Sequence, residues 1–376
     1  MRSIRRGPSL KISYITINIK DDFPYWGRPD LHLFEPTLES FKRQTMKDIE
    51  WVVVDTHYNK RKGFFKDMDL PFVVKHVPAR PDVWFDNNFP GVSTQFNKGI
   101  IHADGKLLFF GVDGFMFGSD FMEKLWSRYQ EGYFPMAWYL LDWSYVTEKD
   151  MPHSSQMKTA KDFGVSYNFS GYTGEVIEHD QRYNYFKEKD VDYMPPWTWW
   201  FACSSASMEA VLTLNGWDQS MDGDKTLMDV DFGSRLELAR FGIRTALFRD
   251  LFLVRAPSTY SFFKSSPSIK CNYGLVELSR NLRRYEANRH KITDTDINWI
   301  KKIFCEGLCG NRDFCKKNHK WQFPFQHVKT HGHPNCSQEL FDFWKDHVEL
   351  IDLKKERQLR IEGKKYTEGT FVVGSG

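Results

Sequence analysis

Four places in this 376-residue sequence carry residues whose types and spacing could do chemistry. The first is KLLFFGVDGFMF, Lys106 to Phe117, where the apolar run Leu107 to Val112 ends on a lone carboxylate, Asp113, before Gly114. In an open α/β sheet the ligand crevice lies outside the carboxyl edges of the strands, so an acid there could hold a hard cation against phosphate oxygens. The competing reading is that Asp113 only starts a turn with Gly114. The second is IEWVVVD, Ile49 to Asp55, whose terminal acid could accept hydrogen bonds from amide or hydroxyl groups, or could simply end a strand in a turn. In the third, MDVDF, Asp229 and Asp231 open a helix-like segment; such acids cap free N–H groups, and one could instead act as a general base. The fourth is Cys305, Cys309, Cys315 and His319, separated by three, five and three residues. These could close a tetrahedral zinc site of structural kind, with unbound thiols or a disulfide as alternatives and His327, His331, His333 and Cys336 as further ligands.

The elements that must position these residues follow from hydrophobic patterning. Residues 10–19, LKISYITINI, are rich in β-branched side chains and predict a first buried strand with Thr16 close to its carboxyl end. Pro36 stands at a helix start, Leu38 and Phe41 share one face, and Ile49 to Asp55 follows as a second strand. A strand, helix, strand unit of this kind makes a right-handed crossover and leaves Thr16 and Asp55 at the same sheet edge. A short strand is expected over Phe72 to Val77, and a helix from Thr94, carrying Asn97, Ile100 and Ile101 on one face, leads into Leu107 to Val112. Thr16, Asp55 and Asp113 therefore converge.

With these pieces in order, the first 120 positions resemble family 2 glycosyltransferases of the GT-A fold. The matching segments are Thr37-Leu38-Glu39-Ser40, Gln44-Thr45, Val53-Val54-Asp55, Asn97-Lys98-Gly99 and Gly111-Val112-Asp113. The resemblance implies an α/β fold with a Rossmann-like, mostly parallel sheet flanked by helices. It implies that Asp55 and Thr16 seat the nucleotide of a sugar donor, with Asn97 and Val112 in the same pocket, and that Asp113 holds Mn²⁺ or Mg²⁺. Further on, Asn215-Gly216-Trp217-Asp218 followed by Met228-Asp229-Val230-Asp231 and Arg235 resembles the turn and acidic motif of the same enzymes. There the acid matching Asp229 takes the proton of the attacking hydroxyl, and Asp231 lies towards the acceptor. Three departures stand out: Gly111 occupies the first acid position of the metal motif, Phe96 stands where an arginine often precedes the asparagine, and Met228 replaces a glutamate.

Trp199 and Trp200, with Trp197, could form a sugar-stacking wall, although aromatic runs more often belong to a core. Residues 148–189 could contain an acceptor loop or an insertion. Beyond residue 260, leucine- and isoleucine-bearing helical patterns, basic residues from Arg280 to Lys291 and an apolar stripe at Phe341, Trp344, Val348 and Ile351 predict a helical extension that packs back on the body. The expected organisation is a nucleotide-sugar half over 1–120, an acceptor half over 121–260 and a mainly helical extension over 261–376.

A hydrophobic fraction of 41% and aromatic fraction of 16% support a large core and exclude a chain dominated by disorder. A net charge of +3 is too small to imply a polyanion partner, and six cysteines in this length do not make a disulfide scaffold. The basic start MRSIRRGPSLKIS leads into a strand pattern and not a signal peptide, and no window resembles a membrane span. A reducing cytoplasm is the expected location. The reading is of an inverting, metal-assisted glycosyltransferase using a nucleotide sugar, expected to be a UDP-sugar, with a glycan or glycoconjugate acceptor. Three alternatives stay open: an acceptor that is a modified base in nucleic acid, a binding module that has lost turnover, and a tail that serves oligomerisation.

Overall fold

The structure, a computed structural model, describes residues 10–18, 34–80, 92–112, 114–142, 144, 158–169, 172–180, 182–183, 186, 191–193, 203–217, 229, 232–233, 236, 244–255 and 352–366. Strands β1 (Ile12–Asn18), β2 (Ile49–Asp55), β3 (Val73–Pro78) and β4 (Leu107–Val112) lie parallel in the order β3-β2-β1-β4. Every residue of β1 and β2 is buried, as expected of strands covered on both faces and written as near-continuous apolar runs. Alternate side chains feed two cores. Ile15, Ile17, Val52 and Val54 meet Phe96 and Ile100 of α3 (Val92–His102) on one face, while Tyr14, Trp51 and Val53 meet Leu38 and Phe41 of α1 (Glu35–Lys42) on the other. The strands and helices expected in this half are all present, with ends that differ by one or two residues from the sequence pattern, the usual fraying of element boundaries.

After a four-residue helix α2 (Tyr58–Arg61) within the first half, the second half adds β5 (Phe115–Phe117), α4 (Phe121–Gln130), β6 (Tyr133–Asp142), β7 (Ile177–His179), β8 (Val191–Tyr193), β9 (Ser204–Ser207), α5 (Met208–Thr213) and β10 (Arg244–Arg255). The sheet continues from β4 as β9-β6-β10-β5, with β7 on β6 and β8 on β10. Strand β9 runs antiparallel to both β4 and β6, and β6 is parallel to β10. The carboxyl ends of β1, β2, β4, β6 and β10 consequently share one edge. Strands β4 and β5 sit far apart in the strand order, yet only residues 113 and 114 separate them. Three Cα steps span at most about 11 Å, so the sheet must curl. This is the α/β, Rossmann-like class expected from the sequence, with the parallel pairing concentrated in its first half.

The Gln-Thr pair after α1 has a mechanical part. Gln44 Nε2 donates to the Gly118 carbonyl (2.7 Å), and its Oε1 accepts the Met122 N–H (3.0 Å), satisfying one of the free N–H groups at the start of α4. Thr37 Oγ1 donates to the Phe115 carbonyl (2.8 Å) and so ties α1 to β5.

Of the extension, α6 (Leu353–Ile361) is described and packs on α3; the apolar stripe Phe341 to Ile351 lies outside the described residues. Arg360 Nη2 meets Asp104 Oδ1 at 2.5 Å and Lys75 Nζ meets Asp104 Oδ2 at 2.6 Å, while Lys75 also pairs with the buried Glu50 at 2.6 Å. Partial burial alone would raise the Asp104 carboxyl, but the hydrogen bonds from Arg360 and Lys75 outweigh it and bring the pKa down to about 2. A group whose folded pKa is depressed stabilises the fold above its unfolded value and loses that contribution as pH falls through the folded one. An Asp104→Asn variant is therefore expected to show a shallower acid limb between about pH 4 and pH 2 in urea midpoints measured against pH. A slope equal to wild type would remove Asp104 from that account. Cys203 is buried and its thiol is pushed up to about 12 by that burial, against the pull of Arg182, so it is no nucleophile at neutral pH. Among the described residues no helix is long and apolar enough to cross a membrane.

Candidate active site

Asp55, the last residue of β2, is fully buried at the shared carboxyl edge and opposite Asn18, the last residue of β1. Its Oδ1 accepts the His57 N–H (2.9 Å) and lies 3.6 Å from Arg61 Nη1, while Oδ2 is 2.9 Å from His76 Nε2. The carboxylate is thus held by a turn amide, by α2 and by β3 at once. A buried acid requires such partners, and its orientation at the strand end is fixed before any ligand arrives. His76 was outside the motifs read from the sequence, because a histidine in a half-buried strand has no local pattern; Arg61 likewise arrives from a four-residue helix. Thr16 is fully buried on the α1 face, where its hydroxyl accepts Trp51 Nε1–H (2.9 Å) and donates to Asn18 Oδ1 (3.2 Å). Through Asn18 it braces the backbone beside Asp55.

Asn97 uses both ends of its amide on one partner. Nδ2 donates to the Trp217 carbonyl (2.7 Å), and Oδ1 accepts the Trp217 N–H (2.9 Å). The preceding Gly216 has φ +65°, and a Cβ there would overlap Asn97 Oδ1 and come within 2.6 Å of Leu353 Cδ2. The Asn-Gly-Trp turn and the Asn-x-Gly helix are therefore two halves of one joint, 120 residues apart. Replacing Asn97 by alanine removes both of its hydrogen bonds to the Trp217 backbone, a cost of about 1–3 kcal/mol. The urea midpoint of Asn97→Ala should fall accordingly; an unchanged midpoint would show that the joint does not hold.

The joint carries an aromatic column. Phe96 stacks on Trp217 (centroids 5.0 Å, 24°), and Trp217 stacks on Phe232 (5.0 Å, 13°), with Phe110 of β4 edge-on to Trp217 at 5.6 Å and 6.4 Å from Phe232. Phe96, the departure from the family pattern, thus supplies one end of the column. Asp229 is helical and half-buried, and lies three residues before Phe232, which is also helical. Packing of Phe232 against Phe110 places the Phe232 ring beside β4, two residues before Val112. Val112 itself is half-buried and in register with Ile17 of β1. Asp113, Asp231, Trp199, Trp200, Cys305, Cys309, Cys315 and His319 lie outside the described residues.

Gly111 has a physical reason. A Cβ there would overlap the Tyr14 hydroxyl and place Cε2 and Cζ of that ring at 2.5 and 2.7 Å. Tyr14 is fully buried and packed against Phe41, Phe109 and Phe117, so an acid at position 111 has no space in this core. Gly114, at φ +77°, makes the turn after β4. Among the described residues no three His, Cys, Asp or Glu side chains converge as metal ligands. One remaining carboxylate, at position 113, still suits Mg²⁺ or Mn²⁺, which bind through one or two carboxylates and complete their shell with phosphate oxygens and water.

A further edge acid was not singled out in the sequence. Asp142 ends β6 and is fully buried; Oδ1 accepts from the Ser144 N–H (2.9 Å) and hydroxyl (2.5 Å), and Oδ2 from Tyr167 Oη (2.8 Å) and the Gly174 N–H (2.9 Å). Burial first, and then the Asp142 charge, raises the Tyr167 hydroxyl far above its usual value, so the phenol stays a donor. Asp142 thereby orders the loop of the second half at the same edge.

No protein-family model matches the chain, and no curated protein matches it. Solved structures of similar shape include three of S. aureus TarS. The form spanning residues 1–349 in complex with UDP-GlcNAc has TM-score 0.49 and 12% identity over 95% of this chain and 93% of that one. The same form with UDP has TM-score 0.47 and 12% identity over 97% and 98%. A further TarS structure has TM-score 0.44 and 12% identity over 93% of this chain and 55% of that one.

Proposed function

We propose that this chain is an inverting glycosyltransferase that moves a sugar from a nucleotide sugar, a UDP-sugar, to a hydroxyl of a glycan or glycoconjugate. The observation that carries the reading is Asp55, an acid buried at the carboxyl edge of β2 and fixed there by the His57 N–H, Arg61 and His76. Asp229, three residues before the Phe232 ring that stacks on Trp217, is proposed as the acid that serves the acceptor. UDP and UDP-GlcNAc are the ligands named for the TarS structures of similar shape. The choice of uridine here is a proposal for this chain.

In this reading Asp55 accepts hydrogen bonds from the nucleoside at the ends of β1 and β2. Asp229 accepts the proton of the attacking hydroxyl, and the acceptor oxygen bonds to the anomeric carbon as the bond to the diphosphate breaks on the opposite face. In-line displacement requires this placement of base and leaving group on opposite sides. Holding reactants in that geometry removes much of the entropic part of the barrier. Mg²⁺ or Mn²⁺ held through Asp113 would neutralise charge on the leaving diphosphate when bound. Asp231, Trp199 and Trp200 are proposed to contact the acceptor.

The test is nucleotide release from a panel of nucleotide sugars with Mn²⁺, comparing wild type with Asp113→Ala. Release from one donor, reduced at least about tenfold in the variant, supports the reading. No turnover of any donor by wild type would overturn it.

A further inference from the structure

Arg255 is the last residue of β10 and so lies at the same sheet edge as Asp55, Val112 and Asp142. It is in antiparallel register with Phe115, the residue after Gly114. Directly paired Cα atoms are about 4.5–5.5 Å apart, so its backbone flanks the turn that follows β4. Its guanidinium Cζ sits 5.6 Å from the centroid of the Phe115 ring. That contact holds the planar fork while leaving its N–H groups to other partners.

No described acid takes this charge. Asp180, the buried carboxylate of the same neighbourhood, spends both oxygens on Arg182: Oδ2 accepts from Nε at 2.9 Å and Nη2 at 2.6 Å, and Oδ1 accepts the Arg182 N–H at 2.9 Å. Asp142 is saturated by Ser144, Tyr167 and Gly174. The Nε of Arg255 is buried and has no hydrogen-bond partner among the described residues. A buried guanidinium donor at this edge, with the described carboxylates Asp142 and Asp180 committed elsewhere, suits an anion from outside. The fork geometry of arginine suits two phosphate oxygens.

The edge has also lost negative charge on the protein side. Tyr14 fills the space that a second metal-binding carboxylate at position 111 would need. The site therefore keeps at most one acid in the turn after β4 while gaining a fixed cation beside it. We propose that Arg255 grips the terminal phosphate of the donor's diphosphate and neutralises it as the leaving group departs, the part that a fuller metal site would otherwise play alone. This rests on the donor reading given above. In the step, the bond between the anomeric carbon and the β-phosphate oxygen breaks with its electron pair going to that oxygen. The acceptor oxygen bonds to the same carbon, its proton passes to Asp229, and Arg255 stabilises the charge left on the diphosphate without exchanging a proton.

The experiment measures dissociation constants of UDP and UMP by calorimetry, with EDTA present so that no divalent ion can bridge the phosphates. Charge-assisted hydrogen bonds are worth about 1.5–3 kcal/mol, or roughly 10- to 150-fold. Wild type should bind UDP at least about tenfold more tightly than UMP. Arg255→Met should bring the ratio near one with UMP affinity kept, and Arg255→Lys should fall between. A ratio retained by Arg255→Met overturns the proposal. So does the absence of any UDP preference in wild-type protein with EDTA, a result that needs no variant to fold. Binding of neither nucleotide by wild type with EDTA overturns this proposal, and binding of neither with Mn²⁺ supplied in place of EDTA would remove the donor reading itself.

Discussion

Asp229→Asn is expected to lower the rate of sugar transfer by about 10²–10⁴-fold, the usual contribution of a positioned general base, with donor affinity unchanged. Asparagine keeps the size of the side chain and caps helix N-termini as well as aspartate does. It cannot accept the acceptor's proton. The substitution therefore separates the two readings of this acid: a purely capping residue would tolerate it, with transfer close to wild type. Asp229 sits three residues before Phe232, whose ring is stacked on Trp217, so the variant should also fold as the wild type does. Full transfer activity in a folded Asp229→Asn protein would refute the assignment of the base.

The second large effect concerns Gly111. Restoring an acid to the metal motif with Gly111→Asp should destabilise the chain and gain no metal affinity. The new Cβ would overlap Tyr14, whose ring is hemmed in by Phe109 at 5.4 Å, Phe41 at 5.6 Å and Phe117 at 5.9 Å. Overpacking a filled core costs typically about 1–3 kcal/mol, and the carboxylate would add the penalty of a buried charge without a partner. Gly111→Ala carries the first cost alone. A drop in the urea midpoint for both variants, larger for the acid, is the expected result. A stable Gly111→Asp protein with tighter Mn²⁺ binding would show that the core yields and that the motif was merely incomplete.

The first half of the fold was readable because its signals are local. β1, β2 and β4 are runs of apolar residues buried on both faces, and α1 and α3 are marked by proline, by helical spacing and by the breaks that follow them. Asp55 was found for the same reason, as a charge ending such a run. Its partners were not, because His76 and Arg61 reach it from separate elements and only the folded register β2 to β3 brings them in. β6 and β10 escaped notice since each reads as a mixed aromatic stretch, and their register slips between Leu247 and Phe252.

Asn97 shows the limit of motif reading most clearly. The resemblance implied a place in the nucleotide pocket; the folded chain adds that its amide is hydrogen-bonded to the backbone of Trp217, across 120 residues of chain. The glycine at 216, the tryptophan at 217 and the phenylalanine at 96 had each been visible separately. What joined them was packing, which no spacing within one segment encodes. The departure of Phe96 from the family pattern becomes intelligible only as one ring of that stack.

The most direct test of the central claim is hydrogen–deuterium exchange of the full chain with and without saturating UDP. The account predicts slowed exchange at the segments leaving the carboxyl ends of β1, β2 and β4, around residues 18–19, 55–57 and 112–115, with the opposite edge, near Glu50 and Asp104, unchanged. Slowed exchange confined to that opposite edge, or none at any concentration, would contradict a nucleotide seat at the edge where Asp55 is held.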